Sequence, residues 1–320
     1  MKSILTCIVL IIFSAVSAWT APPNPKLFEK YDSSGKAMMS IADISKMAML
    51  DPDVPRMNYI KQADGIEYVL AIRVDFSDQP GKKPASAFND AIFGKKGTSM
   101  YLYFNEVSYG QMQIQPGYLG GVMPKDDSWY RMSKKMSYYG AGIYNDERYR
   151  ELVQEACNMA NSNVDFSQYD RDNDGYIDHL IIIHSGNDEA STGVSNDIWS
   201  GMPDGIAGTY DGKRISSAII VSEDPSDSHI NIGIYCHEFF HEFGAPDLYT
   251  YYDYPVGVWC LMGVFGPYLD NGQHPSHISS YLKWDFDADR SNGILGWLEP
   301  IELKDNGEYS INALESPSDK

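Results

Sequence analysis

Five consecutive residues, His237-Glu238-Phe239-Phe240-His241, place two imidazoles four positions apart with a carboxylate beside the first. On a helix, positions i and i+4 share a face one turn apart, so both rings can reach one ion. Imidazole suits zinc. A carboxylate near the open coordination position can accept a proton from water activated by the metal and return it to a leaving amine. His237 and His241 are therefore expected as zinc ligands and Glu238 as the general base. Two incidental histidines on an amphipathic helix would give the same spacing. With 7 His in 320 residues such a coincidence is rare, and Phe239 and Phe240 supply apolar bulk for a buried setting.

A catalytic zinc needs a third protein ligand. A glutamate from a later helix is excluded, because no Glu occurs between Glu242 and Glu299. Asp247 stands six residues after His241, beyond Gly244, a glycine that lets the chain bend back toward the helix. It is the expected third ligand, with Asp253, His274 and His277 as alternatives and a plain turn residue after Pro246 as the blander reading.

The elements that must position these groups can be outlined from pattern. Residues 232–243 read as a helix with Asn231 as N-cap and Gly244 as its stop. Residues 66–76, 111–114, 180–184 and 218–221 read as strands. Residues 85–93, 98–107, 146–161 and 276–284 read as helices, and in 146–161 the residues Tyr149, Leu152, Val153, Ala156 and Ala160 form one apolar stripe. Gly, Pro and Tyr dominate residues 244–275, which read as loop. The mixture of strands and helices reads as an α+β domain.

His237 to Tyr249 resembles the signature of the immune inhibitor A family of secreted metallopeptidases. Further similarity lies in Val74 to Asp78, Ser108 to Gln111, Tyr169 to His179, His184 to Gly186, Trp259 to Gly263 and Gly296 to Leu298, so that it covers residues 66–300. The resemblance implies a metzincin-like zinc peptidase domain, in which a twisted mixed sheet packs on helices and substrate lies across the zinc cleft. It also implies that Met262 forms an apolar base beneath the metal. The chain ends soon after Trp297, where members of that family often continue into β-rich modules; a short member or a fragment is expected.

A second cation is suggested by Asp170-Arg171-Asp172-Asn173-Asp174-Gly175-Tyr176-Ile177-Asp178. Oxygen ligands at alternate positions with a glycine at the turn follow the spacing of a calcium loop. Position twelve is Ile181 rather than Glu, so a full EF-hand is excluded. Asp170, Asp172, Asp174, Tyr176 and Asp178 are the calcium candidates; the blander reading is a solvated acidic turn. His179 and His184, at the ends of an apolar strand, are expected as core histidines rather than ligands. Tyr268 is a candidate hydrogen-bond donor to the tetrahedral oxyanion.

Bulk properties fit export. Lys2 followed by the apolar run Ile4 to Val16 and small residues at Val16 and Ala18 reads as a signal peptide over 1–18. Residues 19–64, rich in proline, read as a pro-segment or N-terminal extension, and 65–320 as the catalytic domain. Asp51 and Asp53 could cap the zinc of a zymogen; no Cys lies in 19–64, which excludes a thiol latch there. The net charge of -19 speaks against nucleic-acid and anionic-membrane partners, and no later segment is long and apolar enough to insert in a membrane. Cys157, Cys236 and Cys260 follow the signal; a Cys236–Cys260 bridge and buried thiols are the two readings. The function expected is that of a secreted zinc-dependent endopeptidase acting on extracellular proteins. The alternatives are a zinc amidase acting on cell-wall peptides and a catalytically silent calcium-dependent binding module, the latter opposed by the intact His237, Glu238 and His241.

Overall fold

A computed structural model describes residues 19–22, 65–118, 120–140, 146–224, 228–249, 254–283 and 297. In chain order the strands are β1 (Trp19–Thr20), β2 (Gly65–Asp75), β3 (Met112–Pro116), β4 (Val122–Met123), β5 (Tyr130–Arg131), β6 (His179–His184), β7 (Gly201–Met202), β8 (Thr209–Tyr210), β9 (Lys213–Arg214) and β10 (Ile219–Ser222). The helices are α1 (Ala85–Phe93), α2 (Met100–Val107), α3 (Met136–Gly140), α4 (Asp146–Ala160), α5 (Glu189–Thr192), α6 (Ile232–His241) and α7 (Ser280–Lys283). The strands and helices expected from pattern are present, with ends shifted by a few residues. The expected helix over 232–243 closes at His241, and that over 276–284 is helical only in α7.

The main sheet runs β1-β7-β10-β6-β2-β3, with β4 and β5 also paired to β2. It is mixed: β10, β6, β2 and β3 run parallel, whereas β7 is antiparallel to β10 and β1 antiparallel to β7. β2 and β6 are apolar runs rather than alternating ones because both sheet faces are covered. Side chains alternate between those faces. Val69, Ala71, Ile181, Ile183, Ile219 and Val221 join the cluster that contains Phe88, Phe104, Phe239 and Phe240 from α1, α2 and α6. Leu70, Ile72, Val74, Leu180, Ile182 and Ile220 join the cluster formed with Tyr149, Leu152, Val153, Ala156 and Ala160 of α4. The α4 stripe expected from its spacing is the stripe that is buried. Each large apolar side chain fully buried in these layers contributes about 1.5–3 kcal/mol against the unfolded chain. This is an α+β fold with a twisted mixed sheet between helical layers, consistent with the metzincin-like architecture.

Residues 19–22 open the segment expected as a pro-segment or N-terminal extension. They extend the sheet of the domain that follows, with Trp19 opposite Met202 and Thr20 opposite Gly201, and Ala21 is buried.

Candidate active site

Helix α6 is buried along its whole length, from Ile232 to His241. Its β-branched and aromatic content is not helix-favouring, so packing and caps must hold it. Asn231 Oδ1 accepts the Ile234 N–H at 3.1 Å, as expected for the N-cap. Gly233 lets the helix approach the turn at Gly266–Gly272: a Cβ there would lie 1.9 Å from the Pro267 carbonyl oxygen. Phe239 and Phe240 pack on Phe104, with ring centroids 5.1 and 4.9 Å apart, and Phe240 meets Trp297 at 5.9 Å. Gly244, at φ 79°, takes the left-handed conformation and turns the chain back across the helix face.

That turn brings Asp247 over the two histidines. Its Oδ1 lies 3.1 Å from His237 Nε2 and 3.5 Å from His241 Nε2. The Nδ1 side of each ring is engaged by backbone: His237 Nδ1 with the Leu261 carbonyl at 3.1 Å, His241 Nδ1 with the Ala245 carbonyl at 2.8 Å. A carbonyl only accepts, so each Nδ1 carries the proton and each Nε2 presents a lone pair toward Asp247. Burial lowers the His241 pKa to about 4, with Asp247 opposing and His237 reinforcing the shift, so the ring is neutral near pH 7. Glu238 is fully buried beside them, and its carboxyl is pushed well up by burial and by the like charges of Asp247 and Asp188. His237 Nε2, Asp247 Oδ1 and both Glu238 oxygens are buried without a hydrogen-bond partner. One ligand atom each from His237, Glu238 and His241 fall within 4.8 Å of one another. Convergent nitrogen and oxygen donors left unsatisfied in a dry site are the chemistry of a metal-binding set, and the residues present fit a divalent metal ion.

Neighbouring groups complete the surroundings. Tyr249 is buried, stacks on His237 with ring centroids 6.3 Å apart, and hydrogen-bonds Asp247. Met262 is buried in the core, and its carbonyl accepts the Leu248 N–H at 2.8 Å, tying the 260–263 stretch to the segment that carries Asp247. The half-buried Tyr268 has its hydroxyl pushed up by burial and by the charges of Asp188 and Glu238, and it donates to the Pro22 carbonyl. The same N-terminal segment accepts from Trp199 Nε1 at Ala21 O, 2.8 Å away, and donates from Ala21 N to Ser200 O at 3.0 Å.

Two of the alternative third ligands, His274 and His277, are engaged elsewhere. His274 pairs with Asp270 at 2.6 Å and His277 with Glu106 at 2.9 Å, both exposed. Asp253, Asp51, Asp53 and the 1–18 segment lie outside the described residues. Cys157, Cys236 and Cys260 are buried free thiols, so the bridge reading gives way to the thiol reading. His184 is buried with its pKa lowered to about 4 by desolvation. His179 is buried between Glu67 and Glu242.

In the 170–178 loop, Asp170, Asp172 and Asp174 bring one carboxylate oxygen each within 4.8 Å of the others. Asp178 Oδ2 accepts the Arg171 N–H at 2.6 Å. Asp170 Oδ2 takes the Lys213 ammonium at 2.5 Å, while its Oδ1 is buried without a hydrogen-bond partner. Burial pushes Asp170 up, but the bonds from Lys213 and the Gly175 N–H outweigh it and hold the carboxyl below its usual value. Lys213 escaped the sequence reading. The signal for it was Asp211-Gly212, a two-residue hairpin turn joining β8 to β9 that points Lys213 at the loop.

A family profile described as immune inhibitor A peptidase M6, catalytic domain, matches residues 81–294. The pre-pro-metalloprotease PrtV of Vibrio cholerae is 29% identical over 304 residues, covering 78% of this chain and 32% of that protein. Immune inhibitor A of Bacillus thuringiensis is 30% identical over 207 residues, covering 53% of this chain and 28% of that protein. The chain thus spans about a third of the length of the curated relatives it matches.

Asp188, buried under the site, yields a pH prediction. Burial raises its pKa to about 6 against the hydrogen bonds from Ser200 and the Ala190 N–H. The folded state then holds the proton more tightly than the unfolded chain. The contribution is most favourable below about pH 4 and is lost as pH rises through 6, to a cost of about 3 kcal/mol. Asp188→Asn keeps an acceptor for Ala190 and removes the titration. Its stability relative to the parent, from urea midpoints, is expected to improve between pH 4 and pH 7.5; an offset equal at both pH values would contradict this.

Proposed function

The chain belongs to the immune inhibitor A family of M6 peptidases, and on that premise we propose that it is a secreted zinc-dependent endopeptidase acting on extracellular proteins. The observation that carries the reading is the convergence of His237 Nε2, His241 Nε2 and Asp247 Oδ1 on one buried point beside Glu238. These three residues would hold the zinc. When bound, the ion supplies a Lewis acid that polarises the scissile carbonyl and makes water acidic enough to attack near neutral pH. Glu238 takes the proton of the attacking water and hands it to the leaving amine. A buried carboxylate beside the open coordination position is placed for both steps. Backbone carbonyls fix both rings as the Nδ1–H tautomer, so neither ligand reorients on binding. Among the described residues no helix is long and apolar enough to cross a membrane, which accords with export. Casein cleavage by the secreted protein, run beside Glu238→Ala with zinc measured on both, tests the reading. The variant should keep one zinc and lose about 10²–10⁴-fold in kcat. An equally active variant would remove Glu238 from the mechanism, and a parent without zinc would remove the mechanism itself.

The second cation in this reading is calcium at the 170–178 loop, held by Asp170 Oδ1 with Asp172, Asp174 and the Tyr176 carbonyl. The support is the buried Asp170 Oδ1 lacking a hydrogen-bond partner among clustered carboxylates that Lys213 alone does not neutralise. Asp178, whose Oδ2 accepts the Arg171 N–H, completes the expected set through its other oxygen. Calcium at about 100 times its Kd should stabilise the fold by about 2.7 kcal/mol, raising Tm by about 5–10 °C. A melting curve unmoved by calcium or EGTA would sink this part.

Latency is the third element. Residues 19–64 act as a pro-segment, and the support lies at its start: Ala21 and Pro22 sit against Trp199 and Tyr268, with the Tyr268 hydroxyl spent on the Pro22 carbonyl. Removing the segment frees that hydroxyl for an oxyanion and opens the edge of β7. Peptidase activity of the chain lacking 19–64 should rise about tenfold or more, as the competent fraction grows. Unchanged activity would reduce β1 to a structural clip.

A further inference from the structure

Behind the metal helix lies a buried ionic chain that the mechanism above does not use. Strand parity places Glu67 of β2 and His179 of β6 on the sheet face that packs against α6, in line with Val69, Ala71, Ile181 and Ile183. Glu242 follows His241 directly. His179 Nδ1 is 2.5 Å from Glu242 Oε2, and its Nε2 is 3.2 Å from Glu67 Oε2. Glu67 Oε1 in turn lies 3.2 Å from Arg171 Nη2. The imidazole and both carboxylates are 2% exposed or less, whereas Arg171 is 30% exposed. The His179 ring also packs on Phe239 at 4.6 Å and Phe243 at 5.4 Å.

Such a chain is a poor way to gain stability, because desolvating the ions offsets their attraction. What it supplies is direction. The aromatic contacts of Phe239 and Phe240 hold α6 to the sheet but tolerate small rotation and sliding. A short, charge-assisted bond at Glu242 does not. It fixes the helix end at the residue next to His241, where the His179 ring is packed between Phe239 and Phe243. Metal ligands need placing to within about 0.5 Å, a tolerance that apolar packing alone meets poorly.

We propose that Glu67, His179 and Glu242, with Arg171 at the outer end, are positioning residues that aim His241 at the metal. Arg171 belongs to the 170–178 loop, and its N–H is held by Asp178. The chain therefore runs from that loop, along the inner face of the sheet, to the end of the metal helix. This inference rests on the zinc reading above.

The test uses the full chain with Glu242→Gln, Arg171→Gln and, as a control for plain destabilisation, Ile182→Val on the opposite sheet face. Zinc affinity is measured by competition with a chromophoric chelator, the visible spectrum is recorded on cobalt-loaded protein, and circular dichroism reports folding at the same temperature. Glu242→Gln should weaken zinc binding about tenfold or more and shift the cobalt bands. Arg171→Gln should do the same more weakly, and Ile182→Val should lower Tm while leaving both readouts alone. Should Glu242→Gln fail to fold, the half-exposed Arg171→Gln decides. The inference is overturned if the folded variants match the parent in zinc affinity and cobalt spectrum, or if Ile182→Val perturbs them equally. A parent that holds no zinc would overturn the metallopeptidase reading and this one together.

Discussion

The site depends on burying one short helix on every side. Helix α6 carries an aromatic flank, Phe239 and Phe240, that locks into the α1, α2 and sheet layer, and a polar flank, His237, Glu238 and His241, that is equally dry. Burying that much polarity is unfavourable unless each group finds a partner. The carbonyls of Leu261 and Ala245 meet the requirement for one nitrogen of each ring. Both carbonyls come from the chain that follows the helix, folded back by the turn at Gly244. The loop after α6 is therefore part of the site's construction: it delivers Asp247, satisfies the imidazoles and seats Met262 in the core.

How much of this was legible in the sequence follows from range. Features set within one turn or one loop could be read directly: the i, i+4 histidines, the Asn231 cap, the Gly244 stop and Asp247 six residues on. The strands could be read because β2, β6 and β10 are apolar runs, and α4 because its stripe is regular. Contacts between distant segments left no local mark. Glu67 and Glu242 are separated from His179 by 112 and 63 residues, and each by itself looks like an ordinary surface carboxylate. Strand parity could have placed Glu67 and His179 on one face, but only once the β2–β6 register was known. Lys213 was closer to legible, since Asp211-Gly212 announces its hairpin. The pairing of Trp19–Thr20 with β7 was hidden because two residues at a sheet edge carry no periodicity.

Edge geometry explains why those first residues matter. β7 is short and antiparallel to β10, and its outer side offers unpaired backbone groups of the kind that invite another strand. Trp19–Thr20 take up those groups, and Ala21 and Pro22 then continue toward Tyr268. Any extended peptide using the same edge would compete for the same hydrogen bonds, so occupancy of β7 and access to Tyr268 are coupled by geometry alone.

Two buried clusters of titratable groups sit a few residues apart on α6 and resolve their charge in opposite ways. The chain behind the helix contains its own cation: Arg171 meets Glu67, and the His179 ring has a carboxylate on each nitrogen, an arrangement in which both nitrogens can donate. The cluster in front has none of this. His241 is driven toward the neutral form, and the charges that reach Glu238 are those of Asp247 and Asp188, both negative. Carboxylates brought together in a buried setting repel at a cost that surface charges never meet. A polypeptide could lower that cost with a lysine or arginine, as the loop at 170–178 does with Lys213. Here the donors instead point at one another with lone pairs outward, an arrangement that is unfavourable for the protein by itself and favourable around a divalent cation. The energetic fault in front of the helix and the self-contained balance behind it together support placing the metal between His237, His241 and Asp247, and giving the rear cluster a mechanical role.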